Sequence, residues 1–375
     1  MILAQTTNLK PGYAFLKKFS ARADEPIVEL ENEAIIDEEI EDISLDEVKM
    51  CVSKMKSNKA TGPDAIPAEQ YKASPTAVNE LHDVLLEIWT TEEIPDEFTL
   101  ADMQMLYKKK CKDNRKNYRA LGLLNHCYKV FAMVLLLRMM AFIDLRISDM
   151  QAGFRKDRGC RDNIYILISA ILHLLDQSAD TARTLGIITY IDFTAAFDSI
   201  LHSYLLNALK EYNVPLKYCR LVQAIYKSAK VRVQIQEISG NKKYSRPISI
   251  KRGVIQGDIP SPICFLVALD KLLKDHGNLQ SGIQLTPTLL FSHIVYADDA
   301  DGNEEIENVL EFEYLGANVP NDGDPETPIT HRCNIAWGRF GQYTKTLMAS
   351  SLPVAARVRL HRTLIISTMS HSCEA

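Results

Sequence analysis

Apolar and polar positions along the chain alternate first with helical period, then with strand period, then with helical period again. Leu45, Val48, Val52 and Met55 share one helix face, and Ser44 with Glu47 forms the S-x-x-E pattern that opens a helix. SNKATGPDAIP (57–67) ends it, because Gly62-Pro63 and Pro67 favour turns. A second helix is expected at about 76–90, ending near Pro95. Leu100 to Tyr107 reads as a strand running into Lys108-Lys109-Lys110, with NYRALGLL (117–124) as its partner. An apolar helix follows at about 126–145. Asp162 caps another, in which Ile164, Ile168, Ile171, Leu172 and Leu175 recur at helical spacing.

The centre changes period. GIITYIDF (186–193) is a short β-rich run of the kind buried in a sheet, followed by a helix to about Tyr212 and a stop at Pro215. Val231, Val233 and Ile235 alternate with Arg232, Gln234 and Gln236, a half-exposed strand, and Gly240-Asn241 turns the chain towards PISI (247–250). A helix at 261–275 leads to TLLFSHIVYADD (288–299), a second buried strand, which ends in carboxylates. From about 329 the pattern gives two helices broken near Pro353. The expected class is α+β, with a mixed sheet in the middle and helices at both ends.

Length and charge sharpen this. A chain of 375 residues is long enough for two or three lobes, and 46% hydrophobic residues exclude a wholly disordered polymer. The longest apolar stretch, Val130 to Ile143, is too short to span a bilayer and carries Arg138 in its middle, and MILAQTTNLK lacks the pattern of a secretory signal. Eight scattered cysteines without a CxxC pair point to reduced thiols, hence to an intracellular protein, cytoplasmic or nuclear, with no membrane partner and no secretion. The net charge of -5 is unevenly spread: Asp24 to Glu47 holds twelve acidic residues and no Lys or Arg, and residues 1–43 read as an acidic linker. Lys108 to Arg161 holds fourteen Lys or Arg against four Asp. Such a segment is a candidate phosphate-binding surface, or else the solvated face of an ordinary domain.

The two buried-looking strands both run out into acid: Asp192 after Ile187-Ile188-Thr189-Tyr190-Ile191, and Asp298-Asp299 after Ile294-Val295-Tyr296-Ala297. Carboxylates so placed are costly unless paired or metal-bound. Carboxylates from separate strands repel, and a divalent cation between them removes that penalty; oxygen ligands of this type suit Mg²⁺. Two such ions can activate a 3′-hydroxyl and stabilise a leaving pyrophosphate. Taken singly, each acidic motif is more often a turn or a helix cap.

In order along the chain stand SNKATGPDAIPAEQYK (57–72), LYKKKCKDNRKNYRALGLLNHCYKVFAMVLLLRM (106–139), MQAGFRKDRGCRDNI (150–164), YIDFTAAFDSI (190–200), RGVIQGDIPSPICF (252–265), YADD (296–299) and FEYLGANV (312–319). Together they resemble a reverse transcriptase, most closely of the non-LTR (LINE-type) retrotransposon group, over nearly all of 45–375. The resemblance implies a right-hand polymerase fold. Fingers and finger-palm helices would span 44–185, a palm whose mixed sheet carries the carboxylates 186–310, and a partial, truncated helical thumb 311–375. It implies an RNA-directed DNA polymerase acting with an RNA template, a DNA primer and dNTPs, using two Mg²⁺ ions, with Mn²⁺ as a substitute.

The family's roles fall on particular residues. Asp192, Asp298 and Asp299 match the metal-binding catalytic carboxylates, joined by the Phe193 carbonyl. Phe197 occupies the steric-gate position, where a ring crowds a ribose 2′-hydroxyl; plain core packing is its other reading. Lys108, Lys109 and Arg119 match residues that hold the triphosphate. Gln256 and Gly257 match the loop beside the nascent base pair, where glycine lets the backbone approach closely. Arg155, Arg158 and Tyr296 match template-primer contacts, with surface charge the alternative for the arginines. Tyr296 and Ala297 favour a reverse transcriptase over viral RNA replicases.

One departure from the pattern is large. After YADD the family continues with an apolar strand and several tens of residues including a helix, whereas here Ala300 is followed by DGNEEIENVLEFEYLG (301–316). The resemblance thus implies an internally deleted palm with an incomplete hairpin, in a truncated or deleted copy of an element. Two functional readings stand: a working polymerase domain, or a catalytically inactive remnant that still binds nucleic acid.

Overall fold

A computed structural model describes residues 40–107, 117–149, 151–180, 196–236, 242–276, 283–286, 289–291, 311–314, 317–320, 326–348 and 352–366. The chain forms two compact units, one from residues up to Ile147 together with Ala195–Asp275, the other from Ser148–Thr194 together with His276–Ala375.

In the first unit, helix α1 (Leu45–Lys54) opens on the capping box read from sequence: Glu47 N–H donates to Ser44 Oγ at 3.3 Å, and Ser44 N–H to the Glu47 carboxylate at 2.9 Å. It buries Val48, Cys51 and Val52. A short helix α2 (Ala68–Ala73), not expected from the pattern, interrupts the turn-rich segment before α3 (Pro75–Thr91). Ser74 caps α3 with Pro75 at its first position, and left-handed Glu92 ends it.

Helix α4 (His126–Ile143), where a helix was expected, takes in His126–Lys129 ahead of the apolar stretch; its 18 residues are by length and composition alone apolar enough to cross a bilayer, against the expectation drawn from Val130–Ile143. It buries Tyr128, Phe131, Leu135 and Met139, and packs on α1. Arg138, the charge in its middle, grips Glu47 through Nε at 2.8 Å and Nη2 at 2.7 Å, and donates to the carbonyls of Glu41 and Asp42. Its guanidinium lies 4.8 Å from the Trp89 ring centroid. That pair holds the Glu47 carboxyl down at about 2.

Strands β1 (Leu100–Tyr107) and β2 (Tyr118–Leu123) form the expected antiparallel pair, in register from Asp102↔Leu123 to Tyr107↔Tyr118. On the other side of β1 lies β3 (Lys230–Gln236), parallel to it from Leu100↔Lys230 to Gln104↔Gln234. Both β4 (Lys242–Tyr244) and β5 (Ile248–Ser249) pair antiparallel with β3. Among the described residues this mixed sheet has five strands. Its apolar face is Ala101, Met103, Ala120, Val231 and Val233, all buried, as the alternation required. On the opposite face the buried carboxylate of Asp102 is paired with Arg232 across the parallel strands, and Arg232 in turn stacks on Tyr244 at 4.1 Å.

The Asp162-capped helix is α5 (Cys160–Asp180), in the second unit; it begins two residues before Asp162, whose carboxylate reaches back to the Gly159 N–H at 2.8 Å. The helix expected to run to Tyr212 is two, α6 (Ala196–Ser199) and α7 (His202–Glu211), separated at Ile200-Leu201. Pro215 does not merely stop it. It is the N-cap residue of a further helix, α8 (Leu216–Ser228), which packs on α7. Helix α9 (Ser261–His276) completes the first unit.

The second unit continues with the hairpins β6 (Ile283–Thr286)–β7 (Leu289–Phe291) and β8 (Glu311–Tyr314)–β9 (Ala317–Pro320). Helices α10 (Glu326–Leu347) and α11 (Val354–His361) follow, broken at Pro353 as expected. Their shared core is small: Ala336, Leu347 and Ile365, with Phe340, Tyr343, Leu360 and Leu364 packed around it.

Candidate active site

The best-defined part of the site is the loop between Ile250 and Pro260, which carries the glutamine-glycine signature. Its first section is fastened to the α6–α7 corner. Gly253 N–H donates to Ile200 O at 2.7 Å, Val254 N–H to Phe197 O at 2.8 Å, and Arg252 Nη2 to Ser199 O at 2.9 Å. His202, nearly buried, meets the Gly253 carbonyl through Nε2 at 2.9 Å and stacks on Tyr226 at 4.5 Å. Burial lowers the His202 pKa, and since a carbonyl can only accept, the bond is a ring N–H donated to it. Gly253 has φ +80°, and a Cβ there would stand 2.8 Å from the Asp198 Cα, so only glycine fits.

The middle of the loop lies on the sheet. Gly122 N–H of β2 donates to Gln256 O at 2.8 Å. Gly257 has φ +103°, and a Cβ on it would meet Gly122 O and the Leu121 side chain, each at 2.8 Å. A Cβ on Gly122 would stand 2.6 Å from Ile255. Two glycines on facing backbones are what let loop and strand touch.

The end of the loop is fastened to α4. Tyr128 OH donates to Asp258 Oδ2 at 2.9 Å, and Asp258 Oδ1 accepts from Ile259 N–H at 2.8 Å. Asp258 is buried, and burial pushes its carboxyl up to about 7, against the opposing pull of the two hydrogen bonds and Lys129.

The residues singled out from sequence fall into three groups. Phe197 is half-buried at the start of α6, its ring stacked on Phe265 of α9 with centroids 4.8 Å apart and planes 11° apart. Gln256 is half-exposed and Gly257 exposed, so the apex of the loop faces solvent. Phe197, Gln256 and Gly257 are thus brought onto one framework by the loop bonds. In the second unit, Arg155 Nη1 braces its own turn by donating to Ser148 O at 3.0 Å and Gln151 O at 3.2 Å. Arg158 forms an exposed ion pair with Asp149 at 2.9 Å. Arg119 lies in β2 opposite Leu106, and its side chain lies outside the described residues. So do Lys108, Lys109, Asp192, Phe193, Tyr296, Asp298 and Asp299, the strand at 186–193, the end of that at 288–299, and the segment following Ala300. Among the described residues no three His, Cys, Asp or Glu side chains converge to hold a metal.

Sequence reasoning missed Asp258, Tyr128, Gly122, Gly253 and His202. Gly253 and Gly122 were visible as glycines in or beside strands, a signal for close backbone approach. The Asp258–Tyr128 bond spans 130 positions and leaves no local trace.

The family model described as "Reverse transcriptase (RNA-dependent DNA polymerase)" matches residues 107–302, more than half of the chain. The chain belongs to the reverse transcriptase family. The expected likeness to the non-LTR retrotransposon group is borne out by this reverse transcriptase's curated relatives. It is 28% identical over 259 residues to "Transposon TX1 uncharacterized 149 kDa protein" of Xenopus laevis, an alignment covering 68% of this chain and 19% of the relative. It is 25% identical to the "Retrovirus-related Pol polyprotein from type-2 retrotransposable element R2DM" of Drosophila melanogaster, over 62% of this chain and 20% of the relative. To the "RNA-directed DNA polymerase from mobile element jockey" of the same fly it is 24% identical, over 60% of this chain and 24% of the relative. The chain thus spans only about a fifth to a quarter of the length of these relatives.

Proposed function

We propose that this reverse transcriptase chain is the RNA-directed DNA polymerase domain of a non-LTR retrotransposon, extending a DNA 3′-end with dNTPs on an RNA template. The observation that carries the reading is the clamp of the Gln256–Gly257 turn onto β2, three residues from Arg119, with Phe197 tied to the same loop through Val254. A turn pinned at glycine, beside a strand that carries Arg119 and close to an aromatic ring, is suited to hold a nucleotide's base and sugar, with arginine and lysine at its phosphates. In this reading Lys108, Lys109 and Arg119 bind the triphosphate, Phe197 screens the 2′-position, and Arg155, Arg158 and Tyr296 contact template and primer. Fingers span 44–185, palm 186–310 and the thumb-side helices 311–375, in a protein of the cytoplasm or nucleus. The described cysteines are all free thiols, in keeping with that setting.

Asp192, Asp298 and Asp299, with the Phe193 carbonyl, would hold two Mg²⁺ ions, since an all-oxygen donor set rich in carboxylate suits hard divalent cations. The chemistry such ions supply is activation of the 3′-hydroxyl and neutralisation of charge on the departing pyrophosphate. The family match ends at residue 302, just past Ala300, which supports the reading that the segment normally following YADD is missing here.

Primer extension on an RNA template with purified protein tests the proposal. Incorporation that needs Mg²⁺ or Mn²⁺ and disappears in Asp298→Asn is the expected result. Salt-sensitive RNA binding without any extension would instead identify a remnant that binds and does not turn over.

A further inference from the structure

We propose that Asp258 is a positioning residue for nucleotide binding: held by Tyr128, it fixes the Gln256–Gly257 turn against β2, so that loosening it weakens nucleotide affinity more than turnover. The inference rests on the polymerase reading above and adds to it a residue that no motif singled out.

A buried carboxylate is costly to keep unless its oxygens are satisfied, and here each has a donor: Tyr128 OH on Oδ2 and Ile259 N–H on Oδ1. The Asp258 N–H also donates to Ile255 O at 3.2 Å, closing the turn that has Gln256 and Gly257 at its apex. Among the described residues two hydrogen bonds tie that apex to the protein body, Gly122 N–H on Gln256 O and Tyr128 OH on Asp258. Tyr128 is itself packed in, buried on α4 with its ring edge-to-face with Phe98 at 5.7 Å. The groups acting on the carboxyl from the packed elements are Tyr128 and Lys129 of α4, Tyr226 of α8 and Cys264 of α9. Among the described residues none is a second carboxylate, and the raised pKa of Asp258 fits a group retained for its hydrogen-bonding shape rather than for its charge. The apex is solvent-facing while its anchor is buried, the arrangement by which a supporting residue sets the precision of a binding surface it never touches.

Steady-state primer extension separates positioning from general stability. Tyr128→Phe and Asp258→Ala should each raise KM for the dNTP by about three- to tenfold, the equivalent of one net hydrogen bond, while kcat stays within about twofold. Asp258→Asn, which keeps an oxygen acceptor, should recover most of the loss. A merely structural role would lower the folded fraction, and so kcat, and leave KM alone; that outcome overturns the proposal. Amide exchange at Gly122 supplies a readout independent of catalysis. Its N–H should exchange at least about tenfold faster in both Tyr128→Phe and Asp258→Ala, with Val231 and Val233 unchanged. Unchanged exchange at Gly122 also overturns the proposal. Should the unaltered chain fail to extend a primer, the polymerase reading falls, and the exchange measurement still decides whether Asp258 holds the turn.

Discussion

The loop from Ile250 to Pro260 draws its hydrogen bonds from β2, α4, and the α6–α7 corner, whereas the turn from Ser148 to Gly159 is shaped by bonds among its own members. Both carry family motifs, yet they are built differently. The loop buries its anchors, so that Asp258, His202 and Tyr128 are almost wholly out of water and Gly253 and Gly257 sit against backbone. The turn buries Gln151 and Ala152 but leaves its second half outside: Phe154 is 54% exposed at φ +55°, Asp157 stands at φ +58°, and Arg158 meets Asp149 in solvent. The lesson is that geometry in the loop is enforced by packing, while the turn trades enforcement for access. Substitutions should therefore cost stability in the loop and change ligand contact in the turn.

The sharpest test of that contrast is Gly253→Ala. A left-handed φ and a 2.8 Å clash with Asp198 backbone should together destabilise the first unit by about 2–5 kcal/mol, read as a lower urea midpoint. A cost below about 1 kcal/mol would mean the loop is free to move. Next comes pH. The Asp258 carboxyl is raised from 3.8 to about 7, so between those values the native state holds a proton that the unfolded chain has released. The wild-type chain should lose stability as pH climbs through that window, relative to Asp258→Asn. The gap should widen by about 3 kcal/mol from pH 4 to 7 and then level off. Urea midpoints of the two proteins at pH 4.5, 6 and 7.5 would show it, and parallel curves would refute it.

The turn should respond more weakly. Arg155→Ala removes the brace on Ser148 and Gln151 and should cost about 1 kcal/mol. Arg158→Ala removes only an exposed ion pair, so thermal stability should move by less than about 0.5 kcal/mol. If Arg158 meets a phosphate, its loss should instead lower the salt dependence of RNA binding by about one released ion.

Much of the architecture was legible because it is local. The Ser44–Glu47 cap, the β1–β2 pairing and the break at Pro353 follow from residues a few positions apart, and each is found where expected. Pro215 misled because proline ends one helix and begins another with equal ease. The stripe Tyr218, Leu221, Val222, Ile225 and Tyr226 that α8 buries was present and went unread behind it. At the candidate site, Gln256 and Gly257 were legible as a motif, and their clamp on Gly122 was not, since nothing in a one-dimensional pattern says which strand a loop will touch. Asp258 was the least legible, a single acid in a turn, ordinary until its buried partner on α4 is seen.

The parallel pairing of β1 with β3 has a consequence for how this protein comes into being. Leu100 finds its neighbour Lys230 only after 130 further residues have been made. Until then a growing chain carries the β1–β2 hairpin with one long side unsealed, offering free amides and carbonyls to any extended peptide nearby. Closing so wide a ring is slow, and late sealing favours clumping over maturation at high expression. Slower synthesis, lower temperature or a co-expressed chaperone should raise the yield of usable protein more than any change to the finished surface.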